Sequence, residues 1–269
     1  MPTFLQGIAQ KAQEHPKHRF GNLYELRNEA FLQECWRDMR KEAAYGVDHV
    51  SAQDDAANLD ANIHEVVERL KRKRYRAKHV RRKYIPQGNG QLRPVGIPAV
   101  EDTLLQLAVT RILAAIYEQD CLRCSSGYRP HLGAQDAVDK LTLKLQFGQD
   151  NAVGEADIKG VFDTINHDWM LRMVQERIED GAFWRLIKKW LKAGVLDTDG
   201  TGLHPASGTP QGGIVAPVLA NGYVHYTLAL WFPQVVKPRC QGEACLRRYA
   251  DDCVCAFQYQ GDAERFSQA

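Results

Sequence analysis

The sequence predicts an α+β fold, because two strand–turn–strand patterns stand among longer segments of helical periodicity. Residues 80–98 have the pattern of a basic strand, a Gly-Asn-Gly turn and a second strand. Residues 245–257 have the pattern of two short strands around Tyr-Ala-Asp-Asp. Between the two patterns, apolar residues recur at helical spacing from Leu104 to Ile116. We therefore expect antiparallel hairpins packed against helices.

The composition is that of an ordinary globular protein. Of 269 residues, 44% are hydrophobic and 25% are charged, which suffices for a sizeable core. No apolar run approaches the roughly 18 residues of a membrane-spanning helix, and the N-terminus lacks the apolar middle of a secretory signal. Seven cysteines form an odd, sparse set that favours reduced thiols. We expect a cytoplasmic protein without obligatory disulfides.

Charge is unevenly distributed in the N-terminal part of the chain. Residues 23–75 are polar with helical periodicity and predict a helical layer. The net charge is only +2, yet nine of the thirteen residues in 71–83 are Lys or Arg, with Tyr75 among them. Such a run attracts phosphate backbones, and an interleaved aromatic ring can stack on a base. A solvated helix end or edge strand explains the run equally well.

Aspartates stand at two predicted strand ends. The apolar strand from Asn151 to Ile158 carries Asp157 near its end, and Asp251 and Asp252 occupy the turn of the last hairpin. Adjacent aspartates beside a buried strand repel each other unless a cation or hydrogen bonds offset the repulsion. A solvated turn and a metal site both fit this pattern. The spacing alone does not show that the two strand ends meet.

Two helices and a loop are predicted between these aspartates. Asn166 can cap a helix from His167 to Ile178. Residues 194–213 are rich in Gly, Thr and Pro, which predicts a loop or hairpin. Pro217, at a first helical position, opens an apolar helix that runs through Trp231.

The order of five segments resembles that of motifs in group II intron-encoded reverse transcriptases and related bacterial reverse transcriptases. The segments are RRKYIPQGNGQLRPVGIP, SSGYRPHLGAQDAV, ADIKGVFDTINHDWM, GTPQGGIVAPVLAN and RYADD. The resemblance implies a right-hand polymerase architecture, with a helical N-terminal extension and fingers in residues 1–150 and an antiparallel palm sheet flanked by helices in residues 151–269. The implied activity is transfer of a nucleotide from a dNTP to a primer 3′-hydroxyl on an RNA template. The family includes mobile elements.

The same resemblance implies the metal site. Asp157 and Asp251 resemble metal ligands, Asp252 resembles the neighbouring carboxylate of the catalytic turn, and the backbone carbonyl of Ile158 would complete a metal shell. Two Mg²⁺ ions are implied, with Mn²⁺ as a substitute. Mg²⁺ prefers oxygen ligands and commonly takes one or two protein carboxylates together with substrate phosphates.

Three further positions resemble residues that contact the incoming nucleotide. Phe162 is similar to an aromatic gate that packs under the sugar and excludes a 2′-hydroxyl, although a core phenylalanine is the alternative. Gln211 is similar to a residue lining the nucleotide, between glycines that permit close backbone approach. Ala250 would lie beneath the primer end or the nucleotide, where a small side chain leaves room.

The first hairpin resembles a fingers segment that closes over the triphosphate. Arg93 is the best candidate for a phosphate contact, because a guanidinium can bind phosphate oxygens in a bidentate way. The sequence departs from the family pattern at Gln87, where a Lys is common. Lys83 or Arg82 can compensate for that missing charge.

RNA contacts are expected from five arginines, one of which, Arg82, is also a candidate for the triphosphate. The predicted RNA-binding residues are Arg72, Arg74, Arg81, Arg82 and Arg129. The expected partners are an RNA template, a DNA or RNA primer and dNTPs, with intron RNA as a further possibility. The alternative function is an RNA-binding maturase module that assists intron splicing without synthesis.

Two further expectations concern the cysteines and the C-terminal end. Cysteine spacings such as Cys240-x₄-Cys245 could suggest zinc, although small buried hydrophobes explain Cys253 and Cys255 better. The chain ends 17 residues after Asp252, whereas the family continues into further palm elements and a helical thumb. We expect a truncated palm and no thumb.

Overall fold

A computed structural model describes residues 2–26, 28–88, 90–158, 160–204, 207–209 and 212–268. The helices are α1 (Thr3–Glu14), α2 (Glu29–Asp38), α3 (Ala52–Ala56), α4 (Leu59–Lys71), α5 (Val100–Asp120), α6 (Ala134–Phe147), α7 (Val161–Thr164), α8 (His167–Arg177), α9 (Gly181–Leu191), α10 (Ala216–Val224) and α11 (Gln260–Ser267). The strands are β1 (Val80–Pro86), β2 (Leu92–Ile97), β3 (Ala152–Asp157), β4 (Val195–Leu196), β5 (Gly202–Leu203), β6 (Ala244–Tyr249) and β7 (Asp252–Phe257). The prediction of a mixed helix and sheet fold is confirmed. No helix among the described residues has the length and apolar character needed to cross a membrane.

Two compact units make up the chain, and each combines two chain segments. Unit 1 comprises Met1–Ile116 and Phe162–Val218, and unit 2 comprises Tyr117–Val161 and Leu219–Ala269. The sequence analysis divided the chain once, at residue 150. That division does not coincide with these units, because each unit contains segments from both sides of it. The assignment of fingers and palm, and the expected absence of a thumb, stay predictions.

The sheet of unit 1 has the strand order β2-β1-β4-β5. The predicted first hairpin is confirmed, since β1 pairs antiparallel with β2 and places Ile85 opposite Arg93. The loop predicted over 194–213 contains a second, smaller hairpin, β4–β5. Strand β4 also pairs parallel with β1, with Val80 opposite Val195.

Helix α5 and Tyr75 contribute to the buried core. The predicted apolar face of α5 is confirmed, because Leu105 and Ile112 are fully buried. The prediction that Tyr75 could stack on a base is wrong, since this side chain is only 1% exposed. The Tyr75 hydroxyl donates to Asp102 and accepts a hydrogen bond from Trp190 Nε1 at 2.8 Å. Burial is the main cause that raises the pKa of Asp102 to about 6.

The sheet of unit 2 is antiparallel with the order β3-β7-β6. The predicted strand before Asp157 and the predicted last hairpin are both confirmed. Alternate residues of β6 and β7 pack against Phe232 and Val236, including Leu246, Cys253 and Cys255. The opposite face of the sheet carries the aspartates and leaves them accessible.

The helix that was predicted from Pro217 to Trp231 is less regular than the sequence suggested. It begins at Ala216 and is α-helical to Val224, but it then continues as π-helical segments, His225–Ala229 and Phe232–Val236. Pro233 lies in the second of these segments and has no N–H to donate, which prevents regular α-helical bonding there. The predicted helix from His167 is confirmed, and Asn166 caps it.

Candidate active site

The three predicted catalytic aspartates lie at one end of the unit 2 sheet. Asp157 and Asp252 are directly opposite each other on β3 and β7. The Ile158 N–H donates to the Asp251 carbonyl at 3.3 Å and ties the end of β3 to the turn. The sheet and its turn therefore bring Asp157 together with Asp251 and Asp252, which lie 94 and 95 positions later in the sequence. The spacing alone had left this proximity open.

The pKa of Asp252 reflects its position at this sheet end. Partial desolvation raises the pKa of Asp252, and the charges of Asp251, Asp157 and Glu155 raise it further. A bound cation would reverse this effect, because it favours the ionised carboxylates. Oxygen donors of this type suit a hard divalent cation. The described His, Cys, Asp and Glu side chains do not form a ready group of three or more metal ligands.

The turn that carries Asp251 adopts an unusual backbone conformation and is tightly packed. Ala250 has a φ of +57°, in the left-handed region. A Cβ on Gly127 would lie 2.0 Å from the Ala250 backbone nitrogen, so only glycine fits there. The Ser126 N–H donates to the Arg248 carbonyl at 2.9 Å, and the Arg248 N–H donates to the Cys124 carbonyl at 2.8 Å. The segment around Gly127 thus supports the turn.

Arg248 supports the same turn from inside unit 2. Its side chain is 1% exposed. Its guanidinium donates to the Ala250 carbonyl at 2.7 Å, to Asn221 Oδ1 at 2.6 Å and to the Ser125 hydroxyl. In the described part of the chain, Arg248 has no ion-pair partner. One buried cation therefore links three chain segments through neutral acceptors.

Burial shifts the pKa values of Arg248 and of the nearby His225. Burial lowers the pKa of Arg248, but an arginine remains a cation at neutral pH. Burial and the Arg248 charge lower the pKa of His225 to about 4, so that imidazole is neutral at pH 7. Sequence reasoning missed Arg248 and Asn221 although both lie in quoted motifs, because nothing local in a sequence shows that an arginine is buried.

In unit 1, Phe162 lies beside the loop that precedes Gln211. The Thr209 N–H donates to the Phe162 carbonyl at 2.6 Å, and the Phe162 side chain is half-buried. Gly208 has a φ of +87°, and a Cβ there would lie 2.7 Å from the same carbonyl. His167 Nε2 forms a 2.6 Å hydrogen bond with the Gly208 carbonyl. Gln211 itself lies outside the described residues.

The loop also approaches the first hairpin of unit 1. A Cβ on Gly212, whose φ is +109°, would lie 2.3 Å from the Gly96 carbonyl and 3.1 Å from Val95 Cγ1. Lys83 on β1 is directly opposite Val95 on β2, so these two side chains lie on the same face of the hairpin. Arg93 is two residues before Val95 on β2 and therefore lies on that face as well. Both cations are exposed. They lie on the hairpin face that Gly212 approaches.

Most of the predicted RNA-binding arginines have partners inside the protein. Ion pairs join Arg72 to Glu68, Arg82 to Asp197 and Arg129 to Glu118. The guanidinium of Arg81 lies 4.2 Å from the centre of the Tyr45 ring. Arg74 is exposed and has no ion pair among the described residues. Contacts of all five with RNA stay predictions.

The cysteines are free thiols, including Cys240 and Cys245. Cys253 and Cys255 are buried as predicted. The Cys253 thiol donates to the Ala156 carbonyl at 3.2 Å. Burial raises the pKa of Cys255 to about 12, so this thiol is un-ionised at neutral pH. These properties are those of small buried hydrophobes.

Comparison with known families identifies relatives for most of the chain. The family model for reverse transcriptase (RNA-dependent DNA polymerase) matches residues 81–269. The group II intron-encoded protein LtrA of Lactococcus lactis subsp. cremoris is 40% identical over 64% of this chain and 29% of its own length. Protein YkfC of Escherichia coli (strain K12) is 36% identical over 65% of this chain and 47% of its own length. The chain thus spans less than half of either relative.

Solved structures share the fold at low sequence identity. A partial Cas6-RT-Cas1–Cas2 complex aligns over 93% of this chain and 40% of its own chain, with a TM-score of 0.51 and 19% identity. Telomerase from Candida albicans, in complex with a fragment of telomeric RNA, aligns over 74% of this chain and 40% of its own, with a TM-score of 0.53 and 13% identity. At these identities the likeness concerns the fold alone.

We expect Gly127→Ala to destabilise the protein. The new methyl group would collide with the backbone of the Ala250 turn, which cannot move aside as a flexible side chain could. The expected loss in the free energy of unfolding is about 2–3 kcal/mol, measured by urea denaturation. Gly154→Ala in β3 is the matched control, because its Cβ would meet nothing within 4 Å. Equal stabilities of the two variants would contradict the proposed contact.

Arg248→Gln should also lower the free energy of unfolding, by about 3 kcal/mol, because a glutamine cannot reach all three acceptors. Arg247→Gln is the control, since Arg247 is half-exposed and points to the other face of the sheet. Its effect should stay within about 0.5 kcal/mol. Urea titrations of both variants measure the difference, and a similar loss in both would refute the role of Arg248.

Proposed function

Because the chain belongs to the reverse transcriptase (RNA-dependent DNA polymerase) family, we propose that it transfers nucleotides from dNTPs to a primer 3′-hydroxyl on an RNA template. The observation that carries this proposal is the register of the unit 2 sheet, which sets Asp157 opposite Asp252 beside Asp251. The matched family is a polymerase, and this favours synthesis over the alternative of an RNA-binding maturase module.

The aspartates would hold the divalent ions of the reaction. Reverse transcriptases use divalent metal ions, and we propose two Mg²⁺ ions, with Mn²⁺ as a substitute, held by Asp157, Asp251 and the Ile158 carbonyl. Such ions activate the attacking hydroxyl and neutralise the leaving pyrophosphate. Asp252 adds negative charge beside them. Gly127 and Arg248 keep the turn in place, so that Asp251 need not be repositioned during each addition.

Unit 1 supplies the candidate nucleotide contacts. Lys83 and Arg93 share one hairpin face and would bind the triphosphate oxygens. Arg82 lies on the opposite face with Asp197, which makes Lys83 the better substitute for the charge that Gln87 lacks. Phe162 would exclude the 2′-hydroxyl of ribonucleotides. Gln211 would line the same nucleotide, and Ala250 of unit 2 would leave room for the primer end.

The first test of this function is the loss of a carboxylate. Asp251→Asn should reduce Mg²⁺-dependent primer extension on an RNA template roughly a thousandfold, because several kcal/mol of charge stabilisation are removed. Denaturing gels of a labelled primer measure the extension. RNA binding, measured by fluorescence anisotropy in EDTA, should stay within about twofold of the wild type.

Glu155→Gln is the matched control for this variant. Glu155 is an exposed carboxylate two positions before Asp157 on the same sheet face, and it contributes to the same acidic field. The proposal requires a much smaller loss of extension for Glu155→Gln than for Asp251→Asn. Extension that survives in Asp251→Asn would rule out the proposed metal role.

The second test concerns the sugar. Phe162→Ala should raise the incorporation of ribonucleotides relative to deoxyribonucleotides by at least about tenfold, because the ring no longer occupies the space of the 2′-hydroxyl. Ratios of kcat/KM for rGTP and dGTP measure the discrimination. Trp169→Ala, which removes an exposed aromatic ring from α8, should leave the ratio unchanged. An unchanged ratio in Phe162→Ala would show that Phe162 is not the gate.

A further inference from the structure

A strongly basic groove lies in unit 1 and contains none of the proposed catalytic residues. Its volume is about 880 Å³. One wall is the segment that follows α4. The other wall is the polar face of α9 together with the two residues after this helix. Seven cations line this groove, which we call the α9 groove: Lys73, Arg74, Arg76, Arg185, Lys188, Lys189 and Lys192.

Buried contacts fix the two walls of the α9 groove to each other. The apolar face of α9 is in the core and includes Trp190, whose indole N–H donates to the Tyr75 hydroxyl at 2.8 Å. Lys189 Nζ donates to the Tyr75 carbonyl at 2.6 Å. Tyr75 is thus an internal anchor, and Arg74 and Arg76 on either side of it are exposed. The cations are held as a group before any ligand binds.

Among the described residues, nothing neutralises the positive charge of the groove. Its lining includes no carboxylate, and none of the seven cations has an ion-pair partner in the described ranges. Burial lowers the pKa of Lys189, and the charges of Arg185 and Arg76 lower it further. Like charges at this density repel one another, so a polyanion that entered the groove would relieve the repulsion and release counterions.

We propose that the α9 groove binds the phosphate backbone of an RNA strand, as an RNA contact additional to the polymerase site. The choice of RNA rests on the proposed function, since an enzyme that copies RNA must hold it. The lining has no exposed aromatic or large apolar side chain, because Tyr75 is buried and the remaining lining residues are alanines. Insertion into a membrane and stacking on bases both need such side chains. Binding is therefore independent of base sequence.

The test removes three exposed cations of the groove together, as Arg76→Gln, Arg185→Gln and Lys192→Gln. Binding of a labelled 20-nucleotide RNA is measured by fluorescence anisotropy in EDTA at several salt concentrations, which keeps the metal site out of the measurement. We expect the slope of log K against log[salt] to become shallower by about 2, and the affinity in 0.1 M salt to fall at least roughly tenfold. An RNA of different sequence should give the same result.

Two control variants separate the groove from net charge and from folding. Lys17→Gln, Arg37→Gln and Arg40→Gln remove the same charge from exposed positions of unit 1 outside the groove, and the salt slope should change much less. Arg76→Lys, Arg185→Lys and Lys192→Arg keep the charge and should bind RNA as the wild type does. An unchanged slope in the first triple variant overturns the proposal, as does an equal change in the control triple.

Two further readouts distinguish other outcomes. If the triple variant loses binding to phosphatidylserine vesicles but keeps RNA binding, the groove binds a membrane and the proposal is wrong. Failure of the polymerase proposal has a different signature, which is the absence of primer extension by the wild-type protein, whereas extension that survives Asp251→Asn would refute only the metal role. RNA binding is measured in EDTA, so it does not depend on the metal site. A shallower slope of log K against log[salt] in the triple variant therefore supports RNA binding by the α9 groove, whichever result the Asp251 variant gives.

Discussion

The burial of Arg248 is the constraint on which the architecture of unit 2 depends. A guanidinium removed from water without a carboxylate partner is costly unless neutral acceptors satisfy its donors. The acceptors here are Ser125, Asn221 and the carbonyl of Ala250, each from a different part of the chain. These three segments must assemble around the cation together. Their assembly also holds Ala250, the residue with left-handed backbone conformation next to Asp251. The packing of the core and the geometry of the candidate site therefore depend on the same contacts.

Glycines set the close approaches that the candidate site requires. Gly127 allows contact with the Ala250 turn in unit 2, and Gly208 and Gly212 bring their loop against Phe162 and Gly96 in unit 1. In each case the nearest neighbour of an added Cβ would be backbone, which cannot move aside cheaply. Two of the sequence motifs that resemble those of reverse transcriptases, SSGYRPHLGAQDAV and GTPQGGIVAPVLAN, therefore contain glycines that must remain small where two segments touch.

Local sequence signals predicted the helices and strands well, but the sequence did not predict contacts between residues that are distant along the chain. The Gly-Asn-Gly hairpin, the strand before Asp157 and the Asn166 cap were predictable because their signals lie within a few residues. The parallel pairing of Val80 with Val195 was not, since a two-residue strand has no periodicity. Tyr75 was misassigned because its neighbours are cations, while its burial depends on Trp190, 115 positions away. Spacing alone could not join Asp157 to Asp252, and the resemblance had to supply that.

The net charge is only +2, yet like charges are concentrated in two regions, the aspartates at the end of the unit 2 sheet and the cations of the α9 groove in unit 1. Desolvation is the larger cause of a pKa shift in each region. In unit 2 it raises the pKa of Asp252, and the neighbouring carboxylates raise it further. In unit 1 it lowers the pKa of Lys189, and the charges of Arg185 and Arg76 lower it further. Each shift disfavours the charged form, so keeping like charges together has an electrostatic cost when no ligand is bound. Interspersed charges would avoid that cost. A divalent cation at the first region and a phosphate backbone at the second would offset that cost, and both are ligands that the proposed enzyme would bind.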